Sequence, residues 1–218
     1  MNREFKFVGV DVGGPRKGFH LVGLSEGNSI ISQRASTPDE CANTIKGWCG
    51  QVIAIDAPMA WAAEGPSRKS ERELERCGIH CFKTPTEEVA CGNPFYDWVR
   101  NGLALYDVLR VHGYKTPEQV AHEKRSCLTV METFPHAIAK RLSLLEATPL
   151  TKSRFRRNVL RERGIDEAQL ANIDFVDAAL CALLAKIYAE HGPQAVCCLG
   201  GLVEGMFIPQ VPNPVPSR

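Results

Sequence analysis

Five acids stand where apolar segments of the chain begin or end. Asp11 falls near the close of "FVGVDV", Asp56 closes "VIAID", Glu132 closes "LTVME", and Asp174 and Asp177 open "IDFVDAALCALLA". One carboxylate in such a place is a turn or capping residue. Several of them suggest more, because parallel strands bring their C-terminal ends to one edge of a sheet, where α/β folds keep their sites. Asp174 and Asp177 are three apart, so on a helix they share a face, and a helix N-terminus favours anions. Gathering these carboxylates without a cation would push several to protonate. A divalent ion removes that penalty, and all-oxygen ligation selects Mg²⁺ or Mn²⁺. Two such ions about 4 Å apart can activate a water and stabilise the leaving oxygen in phosphodiester cleavage. The expected reacting set is therefore Asp11, Asp56, Glu132 and Asp177, with Asp11, Asp56, Asp174 and Asp177 available to a metal.

The elements that must hold these acids can be read from the pattern around them. Residues 5–12 form a buried strand, and 18–24 and 29–35 alternate or are β-branched. The short turns between them, "PRKG" and "SEGNS", predict an antiparallel meander. Thr37 and Pro38 suit an N-cap and a first helical residue, opening a helix that runs to Trp48. "QVIAIDAP" is a continuous apolar strand stopped by Pro58, and the helix before it makes a crossover, so this strand is parallel to an earlier one. Residues 60–126 read as a helical insertion: a charged helix ending at Gly78, a loop, a longer helix opened by Asn93-Pro94, and a short one in "TPEQVAHEKRS". "CLTVMETFP" is a third strand of the buried kind. Helices are predicted over 136–146, 151–163 and 173–190, then two short strands around Gly200-Gly201. The proline-rich residues 210–218 are expected to be an unfolded tail, leaving a single domain over 1–209.

This order of elements resembles the ribonuclease-H-like fold: an α/β mixed sheet of three antiparallel meander strands plus two parallel strands, with a helical insertion. More narrowly, "GVDV", "AIDAP", "METFPHA" and "IDFVDAALCALLA" are similar to the predicted-nuclease family catalogued as domain-of-unknown-function family 429. The resemblance covers the chain from Phe5 to Pro209, and "AIDAP" and the D-x-x-D-A pattern are its more specific motifs. It implies metal-dependent cleavage of nucleic acid, DNA or RNA, with Asp11, Asp56 and Asp177 as ligands. The Asp174/Asp177 pair is similar to the last-helix acids of the Holliday-junction resolvase branch. Ribonuclease H carries a glutamate within its first helix. Here that helix offers only Asp39 and Glu40 at its start, and Glu132 is the expected substitute.

Basic residues supply candidates for gripping phosphate. The stretch "TKSRFRRNVLRERG" carries Arg154 and Arg157 among six basic side chains, with Phe155, Val159 and Leu160 facing inward. Arg72 follows the "AIDAP" strand closely enough to reach its end, and similar family members carry an arginine in this region. His136, after Glu132 and Pro135, is a candidate for proton transfer. Cys77, His80 and Cys81, with Cys91, match no zinc spacing. Nine cysteines without a C-x-x-C pair or an export signal suggest reduced thiols and a cytoplasmic setting.

The net charge of +1 excludes whole-molecule attraction to nucleic acid or membrane, so any such pull must be local. No apolar stretch has the length of a membrane span. Two other functions remain open on sequence. "GVDVGG" also resembles the first phosphate loop of actin-like sugar kinases and ATPases. Alternatively, the fold serves as a catalytically inactive binding scaffold. Oligomeric state is not readable.

Overall fold

Along β1 (Phe7–Val12) side chains alternate between two faces, and the alternation decides how the sheet is covered. Val8, Val10 and Val12 enter one core cluster. Phe7 enters a second, built on the last long helix. Gly9 and Asp11 share the parity of Phe7, so both face that helix.

The computed structural model describes residues 4–120, 127–143, 151–201 and 205–210. After β1 come β2 (Phe19–Leu24), β3 (Ile30–Ala35), α1 (Pro38–Gly47) and β4 (Val52–Asp56). Next are α2 (Lys69–Arg76), α3 (Glu87–Ala90), a 3₁₀ turn (Pro94–Tyr96), α4 (Asp97–Val111) and α5 (Pro117–Val120). Then follow β5 (Thr129–Thr133), α6 (Pro135–Leu142), α7 (Lys152–Glu162), α8 (Ile173–His191), β6 (Val196–Leu199) and β7 (Met206–Pro209). The strand order is β3-β2-β1-β4-β5-β7-β6. β1, β2 and β3 pair antiparallel, while β4 and β5 run parallel to β1. This is the α/β, ribonuclease-H-like topology expected from the sequence. The two short C-terminal strands join the same sheet, β7 parallel to β5 and β6 antiparallel to β7.

Local chemistry sets the helix starts. Thr37 accepts the Glu40 N–H at 3.2 Å, with Pro38 at the first helical position. Asn172 accepts the Phe175 N–H at 3.1 Å and opens α8. The insertion between β4 and β5 is not wholly peripheral. Leu105, Tyr106 and Leu109 of α4 join Ile45 of α1 in the core under β1 and β4. The helix predicted over 136–146 ends at Leu142, and residues 144–150 lie outside the described ones, as do 121–126 and the tail from 211. All nine cysteines are free thiols. Among the described residues no helix is long and apolar enough to cross a membrane.

Among the described glycines, the closest approach to an added Cβ is that of α8 onto β1 at Gly9. A Cβ there would stand 1.8 Å from the Ala178 carbonyl oxygen and 2.3 Å from the Ala182 nitrogen. Only glycine admits the helix backbone so close. Ala178, Ala179, Cys181 and Ala182 supply the small side chains on the helix side and are fully buried. Gly9→Ala must therefore push α8 away, at a cost of about 3 kcal/mol or more. Urea unfolding checks this against Gly27→Ala, where an added Cβ meets nothing within 4 Å; the control is expected to leave the midpoint unmoved.

Candidate metal centre

Asp11 and Asp56 are direct register partners across the parallel pair β1–β4. Both side chains therefore leave the sheet on the same face. For Asp56 the parity is visible in Val52 and Ala54, which pack in the α8 cluster, while Ile53 and Ile55 pack in the other. Asp177 comes down onto this face from the first turns of α8, beside Ala178, whose carbonyl touches Gly9. One carboxylate oxygen from each of Asp11, Asp56 and Asp177 lies within 4.8 Å of the others. Asp11 and Asp177 are each 6% exposed, and Asp56 is partly buried. Asp11 Oδ2 is buried without a hydrogen-bond partner.

Glu132 stands apart from this group. It is the register partner of Ile55, so it points to the opposite face from Asp11 and Asp56, and Thr133 takes the position on their side. There it forms a fully buried bidentate pair with Arg68, at 2.7 Å to Nη1 and 2.6 Å to Nη2, and accepts the Met59 N–H at 2.7 Å. Arg68 also donates from Nε to Glu71 at 2.9 Å, and Glu71 accepts the backbone N–H groups of Arg68 and Thr84. Burial works against the Arg68 charge, yet Glu132 and Glu71 raise its pKa further. Glu132 is the expected replacement for a first-helix glutamate; its carboxylate is held by Arg68 and lies outside the aspartate trio, yet it lines the same cavity.

A second trio shares Asp11. Oxygens of Asp11 and Asp174 and a ring nitrogen of His20 lie within 4.8 Å of one another. His20 is opposite Asp11 in the antiparallel register of β1 and β2. Burial, reinforced by Lys17 and Arg34 against the pull of Asp174, lowers the His20 pKa and keeps the ring neutral. Lys17 bridges this trio, its Nζ 2.8 Å from Asp174 Oδ1 and 3.4 Å from Asp11 Oδ2. It comes from the turn after β1, where its stem lies over Gly13; a Cβ there would meet the stem at 2.6 Å.

The arginines anticipated as phosphate contacts are elsewhere. Arg72 is exposed and donates to the Ser67 carbonyl. Arg154 is exposed on α7. Arg157 donates to the carbonyls of Glu167 and Leu170, at 2.6 and 2.9 Å, and so ties α7 to the segment before α8. The α7 side chains that line the cavity over the aspartates are Lys152 and Arg156. Arg156 is 2% exposed and pairs with Asp177. Its spacing from Val159 and Leu160, three and four residues on, marks it as belonging to the buried face, a signal the basic run obscured. His136 is half-buried, and burial with the charges of Arg156, Lys140 and Lys152 lowers it to about 4. It is neutral at pH 7 and does not line the cavity.

The cluster carries the electrostatic mark of crowded acids. Burial, with the charges of Asp177 and Asp174, raises Asp11 to about 7 against the opposing pull of Lys17. Burial and the charges of Asp11 and Asp177 raise Asp56 well above the carboxylate range. Asp177 is also raised by burial, even with Arg156 beside it. Three crowded carboxylates converging from separate elements, with only Asp177 compensated by an arginine, suit a hard divalent cation.

The chain matches the family described as "Protein of unknown function (DUF429)" over residues 9–199, and it belongs to that family. No curated protein matches it, and no solved structure does.

Two outcomes check this geometry. Asp11→Asn is expected to abolish the rise in Tm caused by Mn²⁺. Glu132→Gln is expected to lower stability by about 3 kcal/mol, by leaving Arg68 uncompensated, yet to keep that rise. In EDTA burial and mutual repulsion make Asp11, Asp56 and Asp177 hold protons more tightly in the folded state than in the unfolded chain. For Asp11 the stability contribution should therefore be greatest below pH 4 and be lost as pH climbs through 7. Mn²⁺ should remove this loss, which a Tm series across pH would show.

Proposed function

We propose that this member of the family is a metal-dependent nuclease, hydrolysing phosphodiester bonds of DNA or RNA at a site held by Asp11, Asp56 and Asp177. The observation that carries the reading is the convergence of these carboxylates within 4.8 Å from β1, β4 and α8. Three acids lose solvent together and face one point, an arrangement that is unfavourable unless a cation completes it. A bound Mg²⁺ or Mn²⁺ would lower the pKa of a water and polarise a phosphoryl oxygen.

The remaining work falls to the chain's own residues. Arg156 holds Asp177 in place from one side. Lys17 brings its ammonium to Asp11 and Asp174, so a positive charge already stands in the second trio. That supports a single resident ion, with Lys17 as the other cation facing the phosphate. Burial opposes the Lys17 charge, but Asp174 and Asp11 outweigh it and hold the amine protonated. Lys152, at the mouth of the same cavity, adds charge for the neighbouring phosphate. His20, buried, stands beside the Asp11–Asp174 pair, its nitrogens 3.8 and 3.9 Å from their oxygens.

The kinase reading is disfavoured by the same turn. The Gly13 N–H bonds to the Gly18 carbonyl at 2.8 Å, and the Lys17 and Gly18 N–H groups both bond to Gly14 at 2.9 Å. These amides close the turn on itself and are not free to cradle a phosphate.

Incubating the protein with end-labelled single- and double-stranded DNA and RNA tests the proposal. Cleavage is expected with Mn²⁺ or Mg²⁺ and not in EDTA. Asp11→Asn and Asp177→Asn should each lower it by about a hundredfold or more. Lys17→Ala should lower it less, with partial retention in Lys17→Arg. Undiminished cleavage by both aspartate variants would remove the reading.

A further inference from the structure

The cavity above the aspartates has two unlike sides. Its floor is ionic, with Asp11, Asp56 and Asp177 flanked by Lys17, Lys152 and Arg156. Its outer wall is aromatic. Phe82, Phe95 and Trp98 line it, all from the insertion between β4 and β5. Phe82 is 69% exposed and Phe95 51% exposed. Their rings meet edge to face with centroids 5.8 Å apart, and Tyr96 braces Phe95 at 5.0 Å. Two open phenyl rings in edge-to-face contact on the wall of a charged cavity are not explained by core packing, because neither is buried.

We infer that Phe82 and Phe95 form a stacking shelf for the base of an unpaired nucleotide whose phosphate lies at the aspartates. The inference rests on the nuclease reading and narrows its substrate to single-stranded or locally unpaired nucleic acid. A nucleotide unit is flat and apolar at one end and anionic at the other, and the cavity has that polarity. Its volume, about 420 Å³, suits one ligand of nucleotide size. A paired base keeps its faces inside the helical stack, so it reaches such a shelf only by leaving the duplex.

Binding is measured in Ca²⁺ by the quenching of a fluorescent purine analogue placed in a short single strand. The same strand with an abasic site at that position, and the paired duplex, serve as comparisons. Phe82→Ala and Phe95→Ala should each weaken binding of the base-bearing strand about tenfold, with the abasic strand unaffected. The exposure of both rings means that neither change should unfold the protein. The shelf is overturned if base-bearing and abasic strands bind wild type equally, if the duplex binds as tightly as the single strand, or if both variants bind as wild type does. It is likewise overturned if the variants convert a dimer to a monomer in sedimentation, since the rings then belong to an interface between copies. Quenching that depends on the rings in a protein with no Mn²⁺-dependent cleavage would retain the shelf and remove only the nuclease reading. Cleavage without such quenching would do the reverse.

Discussion

The arrangement of this molecule depends on how closely one helix can lie on one strand. α8 rests its backbone on β1 at Gly9, nearer than any side chain would permit. That contact fixes the height of α8 above the sheet, and so the position of Asp177 relative to Asp11. The carboxylates do not attract one another, so they cannot assemble the site. Apolar burial along Val176–Leu184 assembles it, and the acids are carried into proximity by a core that forms for other reasons. The charge repulsion stored there is set against the large favourable burial of the helix.

Two ionic systems that look alike in sequence meet at one cavity on the rim of the sheet. On the α8 face, aspartates converge with incomplete compensation. On the other, Glu132, Arg68 and Glu71 are buried and satisfy one another with short hydrogen bonds. The first has the openness of a binding site. The second joins the end of β5 to the start of α2 and holds the insertion against the sheet. A pair buried this way is weak evidence for stability in itself, but removing either partner strands a charge.

Much of this could be read from the residues, and the misreadings have a common origin. The meander, the crossover and the terminal helix follow from turn types and apolar runs, and the pairing of Asp11, Asp56 and Asp177 follows from where those runs end. Glu132 ends its run too, but its neighbour across the sheet is Ile55, one place out of phase with Asp56. A single residue of register reverses the face, and no single strand reveals its register with another. His20 and Lys17 take their place from the hairpin partner of β1 and from the turn that leads to it, which no apolar run marks. Arg68 and Arg156 sit within charged runs whose composition does not separate buried from exposed arginines, although the latter lies in phase with Val159 and Leu160. The aromatic wall is assembled by loops of the insertion, whose path the pattern of hydrophobicity does not encode.

The sharing of Asp11 between the two trios has a thermodynamic corollary. One of its oxygens stands within reach of Lys17, and the same carboxylate belongs to the trio with Asp56 and Asp177. On the proposed reading, a cation that draws Asp11 toward itself loosens its hold on the ammonium, and an anion that engages the ammonium releases Asp11 toward the cation. Linkage requires these two effects to be equal in free energy. Ion and phosphate would then each raise the other's affinity, through a side chain that need not move more than the width of a hydrogen bond.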